Sequence, residues 1–309
     1  MVFSEETDRK SMDISKAFKS DRVLKSLTGM NRAEFEELAI LFELVLLETS
    51  ASKKRKRAPG AGRRGVLKEA RWKLFFILFY LKVYPTYDLA GFFFGTDKCQ
   101  PCRWVQMFLP VLERVLGRRC ALPKRKICSV EEFLAFFPDV ADLFLDGTER
   151  RVQRPQSAKK QKNCYSGKKK THTRKNIVAT DKDKRILFVS PTKNGRRHDK
   201  HLLDKAGWLS AIPPGVTLWV DTGFQGIEHM LNPCVSVMRP TKRNKGKTLT
   251  LEQKQENKTI SSIRIVVENA IAGIKRFGVL SQLFRNRNGQ DDKFFFLSAA
   301  LWNFHLQFA

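Results

Sequence analysis

Acidic residues are scarce in this chain: 31 aspartates and glutamates stand against 58 lysines and arginines, a formal charge of +27 over 309 residues. That shortage says little about fold but much about partners. The obvious counter-charge is a phosphate polymer, and such binding should weaken steeply with salt. An anionic membrane surface would call for a basic amphipathic helix with an exposed apolar face, and none is visible. Long hydrophobic runs are missing as well. The most apolar stretch, Leu74–Leu81, is far shorter than the ~20 residues a membrane-crossing helix needs, and Lys73 and Lys82 flank it. Met1–Lys19 is polar and mixed in charge, unlike a secretory leader. Six cysteines without an export signal suit a reduced compartment better than a disulfide scaffold. The expected location is the cytoplasm, in association with the nucleoid. No internal repeat is visible.

The length allows one large domain and a smaller one. Asn31–Glu48 opens with the capping-box pair Asn31 and Glu34 and carries an apolar stripe, so it reads as a helix. Lys53–Gly65 is a basic, Gly/Pro-broken linker that also suits phosphate contact. Val66–Gly117 divides into three predicted helices, Leu67–Tyr84, Thr86–Phe94 and Pro101–Leu116. That spacing is that of a helix-turn-helix, and also of a plain three-helix bundle. Pro101 suits a first turn and not a helix interior, so the third helix should start late. Lys98, Gln100 and Arg103 would then sit at its N-terminal end as groove contacts. Cys99 and Cys102 make a CxxC, but Cys120 and Cys128 lack the spacing of a zinc knuckle. The expected segments are 1–50 helical, 51–65 linker, 66–138 DNA-reading and 139–309 catalytic.

Val140–Asp146 and Val216–Asp221 are apolar, strand-like runs, each ending in an aspartate followed by Gly and Thr in either order. Buried strands that stop at a carboxylate put both carboxylates at one edge of a sheet. Between them lie strand-like Lys175–Thr180 and Arg185–Ser190, split by an Asp181 turn, and a helix at His198–Ala206. The late helix Ile260–Phe277 carries Arg264, Glu268 and Lys275 within ~40° of one another on its surface, along the edge of an apolar stripe that must be buried. A carboxylate between two cations on a clamped helix suits a metal ligand with phosphate-binding neighbours. A solvated face with an i,i+4 ion pair would look the same. Arg150–Lys175 is densely basic and holds no acid. It reads as a DNA-tracking hairpin beside Asp146, with Lys168, Lys169, Lys170 and His172 at its centre. His198 and Asp199 are either a fourth element of the site or a helix cap.

The order of elements resembles the RNase H-like fold, an α/β architecture with a mixed sheet flanked by helices. The sequence as a whole resembles DDE transposases of bacterial insertion sequences, in the group akin to the Harbinger elements. Asp146-Gly-Thr-Glu, Tyr165-Ser-Gly-Lys-Lys-Lys-Thr-His-Thr, His198-Asp-Lys, Asp221-Thr-Gly-Phe-Gln-Gly and the Arg264–Glu268–Lys275 spacing carry that resemblance. Ser261 stands where the related signature has tyrosine. The resemblance implies that Asp146, Asp221 and Glu268 hold two Mg²⁺ ions, with Mn²⁺ able to substitute, and that Arg264 and Lys275 steady DNA phosphates. It further implies DNA as partner, both inverted-repeat ends and target, and a homodimer or larger assembly in a synaptic complex. The activity implied is hydrolysis at the element's ends followed by strand transfer. A transposase-derived DNA-binding protein, or a nuclease without transposition activity, is the alternative. Two other readings fail on residues. An aspartic protease would want a second Asp-Thr-Gly in a β-rich lobe, and an aspartyl-phosphate phosphatase would need its nucleophile where Phe144 stands.

Overall fold

The structure is a computed structural model that describes residues 13–51, 65–204, 207–243, 248–286 and 289–309. Most of the expected linker, at 52–64, lies outside the described residues, as do residues 1–12 and the 244–247 tip of the basic loop after Arg239. The chain divides into two compact units.

The first unit is helical: α1 (Ile14–Phe18), α2 (Asp21–Thr28), α3 (Arg32–Ala51), α4 (Ala70–Val83), α5 (Tyr87–Phe93) and α6 (Cys99–Arg118). The α3 capping box forms as its spacing requires, with Glu34 N–H donating to Asn31 and Asn31 N–H donating to the Glu34 carboxylate, both at 2.9 Å. Leu74–Leu81 is buried without a break. An apolar run too short for a membrane is here a helix enclosed on every side, with α2, α3 and α6 packed around it. Among the described residues no helix is long and apolar enough to cross a membrane. One expectation needs correction: α6 begins at Cys99, ahead of Pro101 rather than after it. Asp97 makes this workable, because its carboxylate accepts from Cys99 N–H at 2.7 Å. Pro101 then falls in the first turn, where a missing N–H costs nothing.

The second unit is built on a mixed seven-stranded sheet. In chain order it has α7 (Val130–Phe136), β1 (Asp142–Arg151), α8 (Ala158–Cys164), β2 (Tyr165–Ser166), β3 (Thr171–Thr180), β4 (Ile186–Val189), β5 (Lys193–Asn194), α9 (Asp199–Asp204), β6 (Thr217–Trp219), β7 (Ser236–Met238) and α10 (Leu251–Lys275). The single turn α11 (Gly278–Ser281), whose first two residues belong to the first unit, and the closing helix α12 (Asp291–Leu306) follow. Strands run in the order β2-β3-β1-β6-β7, with β4 and β5 also on β3. β1 is antiparallel to β3 and parallel to β6. Apolar residues of β1, β3, β4 and β6 pack with Phe133, Phe137, Trp208 and Phe224 in one core, where Trp208 stacks on Phe188 at 4.4 Å. Phe294, Phe295, Leu297, Leu301 and Phe304 of α12 are buried, as their spacing predicts.

Three expectations change here. β1 does not stop at Asp146 but continues to Arg151, because residues 147–151 pair in register with 173–177 of β3. α10 starts nine residues before Ile260, set by a capping box between Thr250 and Gln253 whose two hydrogen bonds are 3.1 and 3.2 Å. That polar first stretch hides the helix from a reading based on apolar spacing. The basic tract is not one hairpin either, since α8 interrupts it. Arg150 leaves the tract altogether. Its side chain is buried, donating to Asn176 at 2.7 Å and to the Asp291 carbonyl at 3.1 Å, with its guanidinium over the Phe295 ring.

Candidate functional site

Neighbouring parallel strands bring the two aspartates level. Asp142, Leu143 and Phe144 of β1 pair with Thr217, Leu218 and Trp219 of β6. The same register carried two residues further sets Asp146 beside Asp221, just where β6 has ended and β1 runs on with β3 alone. Adjacent strands lie about 4.8 Å apart, so the two carboxylates face a common space. Each is aimed by its own turn. One Asp146 oxygen accepts from Gly147 N–H at 2.8 Å, and one Asp221 oxygen accepts from Thr222 N–H at 2.7 Å. The small residues after each aspartate allow this tight return onto the backbone.

Arg264 of α10 reaches into the same space. Its guanidinium lies 3.9 Å from Asp146 and 3.9 Å from Asp221. The Arg264 side chain is only 9% exposed. Burial raises the Asp146 carboxyl above its ordinary range. The charges of Asp221 and Glu268 push the same way, while Gly147 N–H and Arg264 pull it down. Glu268 itself lies on the exposed side of α10, with Arg264 buried and Lys275 between the two in exposure. Burial lowers the Lys275 ammonium, and nearby Lys169 adds to the effect, against the pull of Asp146 and Glu149.

Three residues along β1, on its opposite face, a second charge cluster is fully assembled. Lys175 Nζ lies 3.2 Å from Glu149 and 3.0 Å from Asp199, and donates to the Arg197 carbonyl at 3.1 Å. Thr173 donates to Glu149 at 2.7 Å. Asp199 lies over the backbone of Gly147 and reaches toward Gly223, so it adjoins both aspartate turns. Of the pair expected as an accessory element, Asp199 lies behind the aspartate turns on the opposite face of β1, whereas His198 is exposed. Glu149 closes the Asp146-Gly-Thr-Glu motif, but its place there suggested no role of its own. Its signal was an acid directly opposite Lys175 across two antiparallel strands.

Lys168, Lys169 and Lys170 are exposed in the turn between β2 and β3, and His172 packs edge-on against Tyr165. In the helical unit Lys98 and Arg103 are exposed and Gln100 is half-buried, at the start of α6. Lys98 is 3.9 Å from Asp88.

Among the described residues no three His, Cys, Asp or Glu side chains stand close enough together to hold a metal ion. Asp146 and Asp221 are brought together, and Glu268 is not drawn in to the same degree. The donor chemistry nevertheless suits a hard divalent cation. The donors facing Arg264 are carboxylate oxygens rather than thiolate or imidazole, and the Asp146 carboxyl is raised chiefly by burial, with the charges of Asp221 and Glu268 adding to it.

Residues 145–303 match the family described as DDE superfamily endonuclease. The chain belongs to that family. Beyond the family match, it is 29% identical over 288 residues to the probable transposase for insertion sequence element IS702 of Microchaete diplosiphon, an alignment covering 92% of this chain and 95% of that one. No solved structure matches it significantly. Both findings agree with the resemblance to DDE transposases of insertion sequences. As a DDE superfamily endonuclease the protein is a nuclease-type enzyme, in a family that works with divalent metal ions on DNA. The matched segment contains Asp146, Asp221 and Glu268 and starts one residue before the first of them.

Proposed function

We propose that this endonuclease is a transposase that hydrolyses phosphodiesters at the inverted-repeat ends of its element and then joins the freed 3′-hydroxyl to target DNA. In this reading residues 139–309 are an RNase H-like catalytic domain, and residues 66–138 present a helix-turn-helix whose Lys98, Gln100 and Arg103 meet DNA. The observation that carries it is the pair Asp146 and Asp221, each two residues past the last paired position of parallel β1 and β6, with the buried Arg264 guanidinium 3.9 Å from both.

Asp146, Asp221 and Glu268 would hold Mg²⁺, or Mn²⁺ in its place. Two such ions would activate the attacking water or hydroxyl and stabilise the leaving oxygen of the phosphodiester. The protein's own share is positional. The Gly147 and Thr222 N–H groups fix the two carboxylates. Lys275 and Arg264 meet the phosphates of the cut end, Lys275 from beside Lys169. Exposed Lys168, Lys169 and Lys170, with His172 at the base of their turn, track the backbone leading into the site. Asp199 supports both aspartate turns from the far side of β1, held by Lys175. Strand joining at two ends calls for at least two subunits.

The test is cleavage of a duplex carrying the element's own end, with and without Mg²⁺. Asp146→Asn should cut cleavage by about a thousandfold or more and leave salt-sensitive duplex binding close to wild type. A variant that still cuts would remove Asp146 from the ligand set. Wild-type protein that binds the ends but never nicks them with metal would favour a DNA-binding protein derived from a transposase.

A further inference from the structure

Arg264 is oddly placed for a residue whose task is to meet DNA. Its side chain is nine-tenths buried, its Nε has no hydrogen-bond partner, and its terminal nitrogens stop 3.9 Å from both carboxylates, too far for a hydrogen bond to either. A buried guanidinium with an idle donor is costly. The two aspartates make it tolerable, and it makes their proximity tolerable in turn. Arg150, also buried in the same unit, leaves its Nε idle too, but its terminal nitrogens donate to three acceptors, whereas those of Arg264 donate to none of the groups they face. Arg264 is therefore held by charge rather than by directed bonds, and such a group can move away.

We infer that Arg264 is a positioning residue that serves as an internal counter-ion. It holds Asp146 and Asp221 together and must yield when a divalent cation takes their oxygens. A hard cation binds carboxylate oxygens at about 2.1 Å, and its charge repels a guanidinium facing the same oxygens more strongly in a buried setting than in water. Metal loading thus turns Arg264 away from the aspartates and makes its donors available to a DNA phosphate. This rests on the metal reading of the site.

The test measures Mn²⁺ binding calorimetrically to the full chain after chelator treatment, with no DNA present. Thermal melting with and without Mn²⁺ is the second readout. Arg264→Ala should bind Mn²⁺ on the order of tenfold more tightly, the usual size of coupling between two interacting ligands. Its chelated form should melt earlier than wild type, and Mn²⁺ should restore most of the loss. Arg264→Lys, which keeps the cation, should stay near wild type in both. A merely structural arginine would leave Mn²⁺ affinity unchanged or weaken it, and either outcome overturns the inference. Arg264→Gln answers the same question should the alanine variant fail to fold. Asp146→Asn separates the two levels: if it binds Mn²⁺ as well as wild type, the metal reading fails, whatever Arg264 does.

Discussion

Two clusters on β1 have the same composition and opposite characters. Each has two carboxylates around one cation. Glu149 and Asp199 close on Lys175 at 3.2 and 3.0 Å, with the Thr173 hydroxyl donating to Glu149 and the Arg197 carbonyl accepting from Lys175. Asp146 and Asp221 stand 3.9 Å from Arg264 with no directed bond to it. The titration of the two acids on β1 follows. Burial pushes Glu149 upward, but the Thr173 and Ser166 hydroxyls and the Lys175 ammonium outweigh it and leave its carboxyl below the usual range. Burial wins at Asp146 and leaves it above. A satisfied cluster is a fastener. An unsatisfied one, kept together by the strands beneath it, has affinity left over for something else.

The sharpest way to break the contrast is to remove each cation. Lys175→Met strips the fastener and leaves the buried Glu149 carboxylate beside the half-buried Asp199 with no cation between them. Losing one partner of a buried, bonded pair costs about 3–5 kcal/mol, so urea denaturation should show a loss near 3 kcal/mol. The substitution of Arg264 should cost clearly less, because its contacts are longer and undirected. Equal losses would mean that the two clusters do not differ in kind.

Acidity should separate them next. Glu149 has a folded pKa below its ordinary 4.5, so its contribution to stability is present above that value and fades as pH falls through the lower folded one. Asp146 has a folded pKa above its ordinary 3.8, so its sign is reversed: its ionised form is disfavoured in the folded protein, and stability declines as pH rises through the raised value. Glu149→Gln should therefore be less stable than wild type at neutral pH, and Asp146→Asn no less stable or somewhat more so. Both should converge on wild type under acid, from opposite sides, with Asp146→Asn converging first. Urea titrations between about pH 3 and 7 would reveal curves on the same side if the contrast is mistaken.

The open cluster was easier to read from sequence than the closed one. Asp146 and Asp221 advertise themselves, each at the end of an apolar run and before small turn residues, and Arg264 falls on the buried edge of an obvious stripe. Register supplied what spacing could not: that the aspartates are level, and that β1 continues past the first of them. Glu149, Lys175 and Asp199 lie in three separate segments, and only strand pairing unites them. The same limit explains Arg150. One basic tract contains exposed lysines at 168–170, the buried fastener Lys175, and an arginine enclosed against Phe295. Charge alone cannot tell these apart, because burial is decided by partners far along the chain.

The smallest expected effect probes the seam between the clusters. A β-carbon added at Gly147 would lie 3.0 Å from Asp199 Cγ and Oδ1 and 3.2 Å from Oδ2, so the carboxylate would have to give by a few tenths of an ångström. Gly147 does not have positive φ, so alanine brings crowding without backbone strain and recovers some strand propensity. Gly147→Ala should therefore cost only about 1 kcal/mol, with Lys175 keeping Glu149 as it loses part of Asp199. In an Asp199→Ala background the crowding partner is gone, and the Gly147→Ala penalty should vanish or change sign. A penalty that persists there would mean that Gly147 is needed for the Asp146 turn itself. The closed cluster would then have no bearing on how the open one is aimed.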